Sequence, residues 1–354
     1  LSRTAIAEGR APLTVRDVTT AMIKAYEIQG VIALENSFNR FGLDHVLLVR
    51  VASTAIATRM LGGTQEQVVN ALSNAWLDGG ALRAYRQAPN AGSRKGWAAG
   101  DATSRGVRLA LMALRGEMGY PSALTAKTWG FQDVLQGGRP LRLAQGYGCY
   151  VMENILFKIS HPAEFHAQTA VECALALHPV VKDRLDDIDH VVIETQEPAV
   201  RIIDKTGPLA NPADRDHCLQ YVTAIALVFG RLTAADYEDA VARDPRVDAL
   251  RDRMVVRENV QFTEEYYAPD KRCIGNAMQV HFRDGSSTAR VHVDVPVGHR
   301  RRRAEGIPLL VKKFDASVVA HFGAAQAAKI RALFADRAKL EALPVHEFMS
   351  VLVK

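Results

Sequence analysis

A chain of 354 residues, 48% apolar and 23% charged, has the makeup of a soluble globular protein, long enough for one large or two ordinary domains and able to bury a core without disulfides or metal. Its net charge is +5, with part of the excess in His299-Arg300-Arg301-Arg302-Arg303; without a broad basic face or aromatic stacking residues, this run reads as an exposed loop and argues against nucleic-acid binding. Cys149, Cys173, Cys218 and Cys273 are far apart with no CxxC pair, which argues against a disulfide framework, a cysteine-held zinc and an iron–sulfur cluster.

In chain order, the sequence opens on Leu1 rather than a methionine, so it reads as trimmed at its start, with the N-terminal portion of a helical domain missing. No signal peptide precedes the first helical pattern, and no run approaches the roughly twenty apolar residues of a membrane span, so a cytoplasmic protein is expected. From Asp17 to Arg115 the pattern is helical. Val46, Leu47, Val49, Ala52, Ala55, Ile56 and Met60 recur at helical spacing. Gly62-Gly63 stops that helix, and Thr64-Gln-Glu-Gln67 reads as a capping box opening the next, through about Asp78. A further helix is expected from Trp97 to Leu114, where Ala98, Ala99, Gly100 and Ala102 allow close packing.

After about residue 150 the character changes. A helix is expected from Glu164 to Leu177, a strand over 190–196, a helix from Asp216 to Phe229, and another opened by Thr233 and Asp236. Strands over 277–282 and 289–295 flank Asp284-Gly285-Ser286-Ser287, a β-hairpin with an Asp-Gly turn. Helices resume past Gly306. The fold class expected is mainly α with an α+β part: a large all-helical domain over 1–155, a smaller α+β lid over 156–308, and C-terminal helices over 309–354 that return to the helical domain.

Three polar clusters stand out. In NRFGLDH, residues 39–45, Asp44 can cap the following helix, and His45 at the helix start has its charged form disfavoured by the dipole; it is a proton acceptor or simply a cap. In 82–102, Arg83, Arg86, Arg94 and Lys95 make a cationic loop, with a turn at 89–92 and Ser93-Arg94-Lys95 just ahead of a helix; this is either a surface loop or an anion-binding rim. In FKISHPAEFHAQTA, residues 157–170, Lys158, His161, Glu164 and His166 fall within nine residues. That spacing is no known metal signature, and HExxH, GxxxxGK(S/T) and GxGxxG are absent. GPLANPADRDHCLQY, 207–221, adds Arg215 and His217, functional or merely capping. These residue types suit abstraction of a proton beside a carboxylate and stabilisation of the resulting charge.

At these clusters the sequence resembles the MmgE/PrpD family over essentially its whole length, through ENSFNRFGLDHVLLVRVAST, APNAGSRKGWAAGDATSRGVRLALMA, GEMGYPSALTA, FKISHPAEFHAQTA, IIDKTGPLANPADRDHCLQY and FGRLTAADYED. The resemblance implies a large helical domain with a smaller α+β lid, and action on small polycarboxylates without a metal or redox cofactor. Within the family it resembles members that remove water from 2-methylcitrate to give 2-methyl-cis-aconitate in propionate breakdown, and that can also dehydrate citrate or hydrate cis-aconitate. It implies His45, Lys95, Lys158 and His166 as catalytic residues, with His161 as the second choice of histidine after the turn. Arg83, Arg86, Arg94 and His161 are then substrate-binding candidates. It also implies an Asp, a Thr and a His upstream of Leu1. The expected partner is a small tricarboxylate, with no nucleic acid, no membrane and a homodimer left open. The rivals are a sister activity on the same scaffold, cis-aconitate decarboxylation or epimerisation of a related diacid, and a non-catalytic helical interaction protein.

Overall fold

In the computed structural model, which describes residues 1–78, 80–87 and 90–353, the alanine- and leucine-rich stretches of the first 115 residues are helices. Helix α1 is Ser2–Ala7 and α2 is Val15–Glu35, opened by a capping box of Thr14 and Asp17. Helix α3 is Val46–Met60 and α4 is Gln65–Leu77. The box expected at Thr64 forms: its hydroxyl accepts the Gln67 N–H at 3.2 Å, and the Gln67 side chain accepts the Thr64 N–H at 2.9 Å. Helix α5, Arg94–Leu114, begins three residues earlier than expected and takes Arg94 and Lys95 into its first turn. Two short helices follow, α6 (Phe131–Gln136) and α7 (Tyr150–Asn154).

Contacts divide the chain into two units. The first is Leu1–Tyr85, Arg94–Glu153 and Phe314–Lys354; the second is Arg86–Ser93 and Asn154–Lys313. In the first, α3 is the hub, packed by α2, α4 and α5. The face α5 turns toward α3 is small at a spacing of four: Ala98, Ala102, Gly106 and Ala110 are buried, whereas Ala99 and Gly100 are exposed. An added Cβ at Gly106 would sit 3.0 Å from the Thr54 nitrogen and 3.1 Å from the Arg50 oxygen, so the backbones approach as only glycine allows. Leu47, Leu48 and Val51 of α3 join Ile32, Phe38, Leu43, Trp76 and Phe131 in one apolar cluster. Buried Glu27 of α2 accepts the backbone N–H groups of Gly148, Tyr150 and Val151 at 2.8–3.2 Å, satisfying donors at the start of α7.

The second unit is α+β. Its helices are α8 (Gln168–Val181), α9 (Glu197–Ile203), α10 (Pro212–Arg215), α11 (Leu219–Phe229), α12 (Asp239–Ala242), α13 (Pro245–Arg251) and α14 (Val260–Tyr267). Its strands are β1 (Ile188–Thr195), β2 (Met254–Glu258), β3 (Asn276–Phe282) and β4 (Val291–Val293), in the order β2-β1-β3-β4. β1 runs parallel to β2, with Val191 opposite Met254, and antiparallel to β3, with Val191 opposite Val280. The hairpin forms between β3 and a β4 shorter than the expected 289–295. One strand was not foreseen: β2 is a five-residue edge strand exposed at Val255, Arg257 and Glu258, with too little apolar alternation to mark it. Ile188, Val191 and Ile193 of β1 pack with Ala170, Ala174 and Leu177 of α8 and Leu219, Val222 and Ile225 of α11 in the main core.

Thr233 and Asp236 form their box but open a 3₁₀ turn, Ala234–Tyr237, rather than an α-helix, and two further helix starts differ from expectation. A 3₁₀ turn, Phe165–Ala167, precedes α8, because the Glu164 side chain caps it by accepting the His166 N–H. Helix α11 begins at Leu219 rather than Asp216, because Asn211 caps the separate helix α10 just before it. The basic run is also not a free loop. His299 is buried, Arg301 donates to the Cys273 thiol at 2.9 Å, and Arg302 pairs with Glu172 at 2.7 Å and Glu305 at 2.9 Å. Helix α15, Arg303–Ala335, is broken at Gly323 (φ +77°). Past that break, Ala327 and Ile330 meet Val318 of its earlier half and Leu352, after α16 (Arg337–Ala342) and α17 (Val345–Val351).

Ile193 is fully buried at the centre of the sheet. Ile193→Ala should therefore lower unfolding free energy by about 2–5 kcal/mol in urea denaturation; a loss well under about 1 kcal/mol would mean β1 is not in the core.

Candidate active site

The first unit holds His45, Arg83, Arg94 and Lys95. His45 is the N-cap of α3, and its side chain is largely exposed, at 64%. Fully buried Asp44 precedes it and accepts the Val46 N–H at 3.0 Å, so the expected cap at Asp44 is present. The same carboxylate lies 3.5 Å from His45 Nδ1 and 3.9 Å from Arg83 Nη1. Backbone pairing holds this corner: the Asp44 N–H donates to Ala81 and the Arg83 N–H to Gly42.

Arg94 lies over Trp97 at 4.3 Å and Tyr85 at 5.3 Å, and pairs with Asp101 at 3.7 Å. With Val46, Arg50, Asp78 and Arg105 it lines a cavity of about 160 Å³. Lys95 follows it, half-buried, in the first turn of α5. Pro89, which opens the turn expected at 89–92, lies outside the described residues. Arg86, half-buried at the end of a 3₁₀ turn, is grouped with the second unit.

The second unit holds Lys158, His161 and His166, and here the geometry is tightest. Glu164 accepts the His166 backbone N–H at 2.7 Å and faces the His166 ring, with Nδ1 2.8 and 2.9 Å from its two oxygens. On the far side of the ring, His166 Nε2 lies 3.4 Å from the Tyr266 hydroxyl of α14. The His166 carbonyl accepts from Asn276 of β3 at 2.9 Å, and Gln168 donates to the carbonyls of His161 and Ala163. The ring is thus fixed through its carboxylate, its backbone and a phenol.

The electrostatics follow from burial. Desolvation alone would raise the Glu164 carboxyl, but His166, by charge and hydrogen bonds, and His217 by charge hold it down at about 2. Burial lowers the Lys158 ammonium, opposed by Glu164 and Asp216, and its Nζ sits 4.8 Å over the Phe165 ring. Burial pushes His161 down to about 4, which leaves it neutral near pH 7. Burial pushes the Tyr266 hydroxyl up to about 12.

In the first unit Asp44 lies near both His45 and Arg83; in the second, Glu164 engages the His166 ring and acts on Lys158. Glu164 and Tyr266 were not among the expected site residues. Glu164 was visible beside the two histidines; Tyr266, a hundred positions away in EEYY, had no signal of its own. Among the described residues, no group of three or more His, Cys, Asp or Glu side chains is arranged to hold a metal ion.

Residues 3–144 match the model of the MmgE/PrpD N-terminal domain and residues 161–338 that of the MmgE/PrpD C-terminal domain. The chain is 59% identical to the 2-methylcitrate dehydratase of Salmonella typhimurium, with 100% of this chain and 74% of that protein covered. The identity and coverage are the same for the 2-methylcitrate dehydratase of Escherichia coli K12. To the mitochondrial 2-methylcitrate dehydratase of Yarrowia lipolytica it is 55% identical over 96% of this chain and 66% of that protein.

The depressed Glu164 carboxyl has a stability consequence. Its folded value, about 2, lies below the ordinary 4.5, so its ionised form stabilises the fold fully above about 4.5 and loses that contribution as pH falls toward about 2. Glu164→Gln should therefore be less stable than the parent at pH 6, with the gap narrowing as pH drops below about 4.5. Parallel stability curves from pH 6 to pH 3 would contradict the pairing.

Proposed function

The chain belongs to the MmgE/PrpD family, and from that premise we propose that it is a hydro-lyase removing water from 2-methylcitrate to give 2-methyl-cis-aconitate in propionate catabolism, with citrate dehydration and cis-aconitate hydration within its reach. The observation that carries this reading is the identity, along the whole chain, to proteins named for that dehydration. Decarboxylation or epimerisation on the same scaffold, and a non-catalytic role, are not favoured, because these relatives are dehydratases by name.

The proposed chemistry uses the His166 imidazole, held from behind. Glu164 engages Nδ1, leaving the Nε2 of His166 to act as base. It takes the proton from C3, the C–H electron pair forms the C2=C3 bond, and the C2–O bond breaks with its pair. The departing hydroxide takes the hydroxyl proton of Tyr266 and leaves as water. The phenolate then recovers a proton from the His166 imidazolium across their 3.4 Å contact, so the enzyme returns to its starting state.

Charge accumulates on the carboxylate beside C3 as its proton leaves. Lys158, which already feels Glu164, is the cation proposed to stabilise it, and Lys95, with Arg83, Arg86 and Arg94, the cations proposed to hold the remaining carboxylates. His161, neutral and buried, is proposed as a hydrogen-bonding contact to substrate. His45, at the α3 start, is kept as a further proton-transfer candidate.

We further propose that no metal or redox cofactor takes part, since base, acid and cations are all side chains. A cytoplasmic setting without membrane or nucleic-acid partners is proposed with it. In its support, no described helix is long and apolar enough to cross a membrane, and much of the basic run 299–303 is engaged within the fold. After exhaustive chelation and dialysis, the protein should still convert 2-methylcitrate, followed as rising ultraviolet absorbance of the conjugated product. Activity lost on chelation and restored by a divalent ion would overturn the metal-free scheme.

A further inference from the structure

Lys158 stands in a stretch, 155–159, that is neither helix nor strand, so no regular backbone ladder fixes where its side chain begins. Partners from residues 297–313 fix it instead. Arg303 lies over the Phe157 ring at 5.2 Å, and its Nη2 donates to the Ile155 carbonyl at 3.5 Å. The Phe157 N–H donates to the Gly298 carbonyl at 3.1 Å. An added Cβ at Gly306 would sit 2.6 Å from the Val297 oxygen and 2.8 Å from Ile159 Cδ1, so α15 approaches this stretch as only glycine allows. One and a half turns later, exposed Lys313 reaches back, and its Nζ donates to the Lys158 carbonyl itself at 2.8 Å.

This brace is itself anchored. The Val297 N–H donates to Glu172 of α8 at 3.1 Å, and Arg302 donates to the same residue at 2.7 Å and to the Val295 carbonyl at 2.8 Å. Helix α8 follows directly on the His166 turn, so the brace and the turn share one support. The far end of Lys158 is held as well. Its Nζ sits 4.8 Å over the Phe165 ring, and the charges of Glu164 and Asp216 favour its ammonium while that of Lys313 opposes it. Both ends of one lysine are thereby fixed, the backbone end by Lys313 and the ammonium end by a ring and two carboxylates. The brace and the stretch it holds lie within the second unit, of which Lys313 is the last residue.

We propose that Lys313 is a positioning residue for the dehydration, holding the Lys158 carbonyl so that the Lys158 ammonium stands where charge builds on the substrate carboxylate. Lysine carries its ammonium on a flexible stem, so a shift at the backbone is passed on to the charge. A displacement of about 1 Å at a group that stabilises developing charge costs on the order of a hundredfold in rate. Lys313 acts through Lys158, and no bond to substrate is assigned to it. This role rests on the dehydration reading and on the place of Lys158 in it.

The test compares turnover of 2-methylcitrate by the full chain with that of Lys313→Met, which keeps an exposed stem and loses the donor, and of Lys313→Arg, which keeps a donor and the charge. In Lys313→Met, kcat should fall by about tenfold or more with KM within about threefold, and Lys313→Arg should bring kcat back to within about threefold of the parent. Lys313→Ala serves if the methionine variant does not fold, with the same fall expected. A merely structural Lys313 would lower Tm and leave kcat in place. An unchanged kcat, a loss carried wholly by KM, or a loss that arginine does not restore overturns the role of Lys313 alone. If Lys158→Met turns over 2-methylcitrate as well as the parent, the place of Lys158 fails and that of Lys313 with it. If the parent does not turn over 2-methylcitrate at all, the dehydration reading fails and takes both roles with it.

Discussion

One carboxylate organises the second unit's polar corner. Glu164 caps the 3₁₀ turn by accepting the His166 N–H and at the same time engages the His166 ring, so one side chain sets both the backbone path and the imidazole orientation. A charged cap in a dry setting is worth more than its neutral equivalent, and its partners come from distant parts of the chain. Asn276 of β3 holds the His166 carbonyl, Tyr266 of α14 meets the ring, and Asp216 holds the Glu164 N–H. A strand, a helix, a helix junction and a turn are thereby committed to one imidazole. A ring fixed in this way costs no reorganisation when a proton must move.

The first unit solves a different problem, that of bringing cations close without burying them unpaired. Arg94 and Lys95 stand in the first turn of α5, where the helix dipole opposes positive charge and favours anions. Arg94 offsets this by stacking on Trp97 and Tyr85 and pairing with Asp101. The close approach of α3 and α5 fixes that helix start, and it depends on the small face of Ala98, Ala102, Gly106 and Ala110. Packing and charge placement are therefore one design.

Much of this was legible in the sequence, and what was not has a common cause. The capping box at Thr64, the β3–β4 hairpin and the Lys158–His166 cluster are short-range signals, each carried within about twenty residues. The start of α11 was misplaced because Asn211 builds a separate helix that apolar periodicity does not record. β2 was missed because an exposed edge strand needs no apolar alternation. Tyr266 and Asn276 reach the site through the fold, and nothing in their neighbours announces it. The basic run at 300–303 read as solvated because its partners, Glu172 and Cys273, lie far away in the chain.

The account stands on His166 being the group that moves the proton. Substituting it by glutamine retains an amide near the position of Nε2 but removes the base. The kcat of His166→Gln on 2-methylcitrate should fall by about a hundredfold or more, with KM within a few-fold and Tm within a few degrees of the parent. A folded His166→Gln variant with kcat within about threefold of the parent would contradict it.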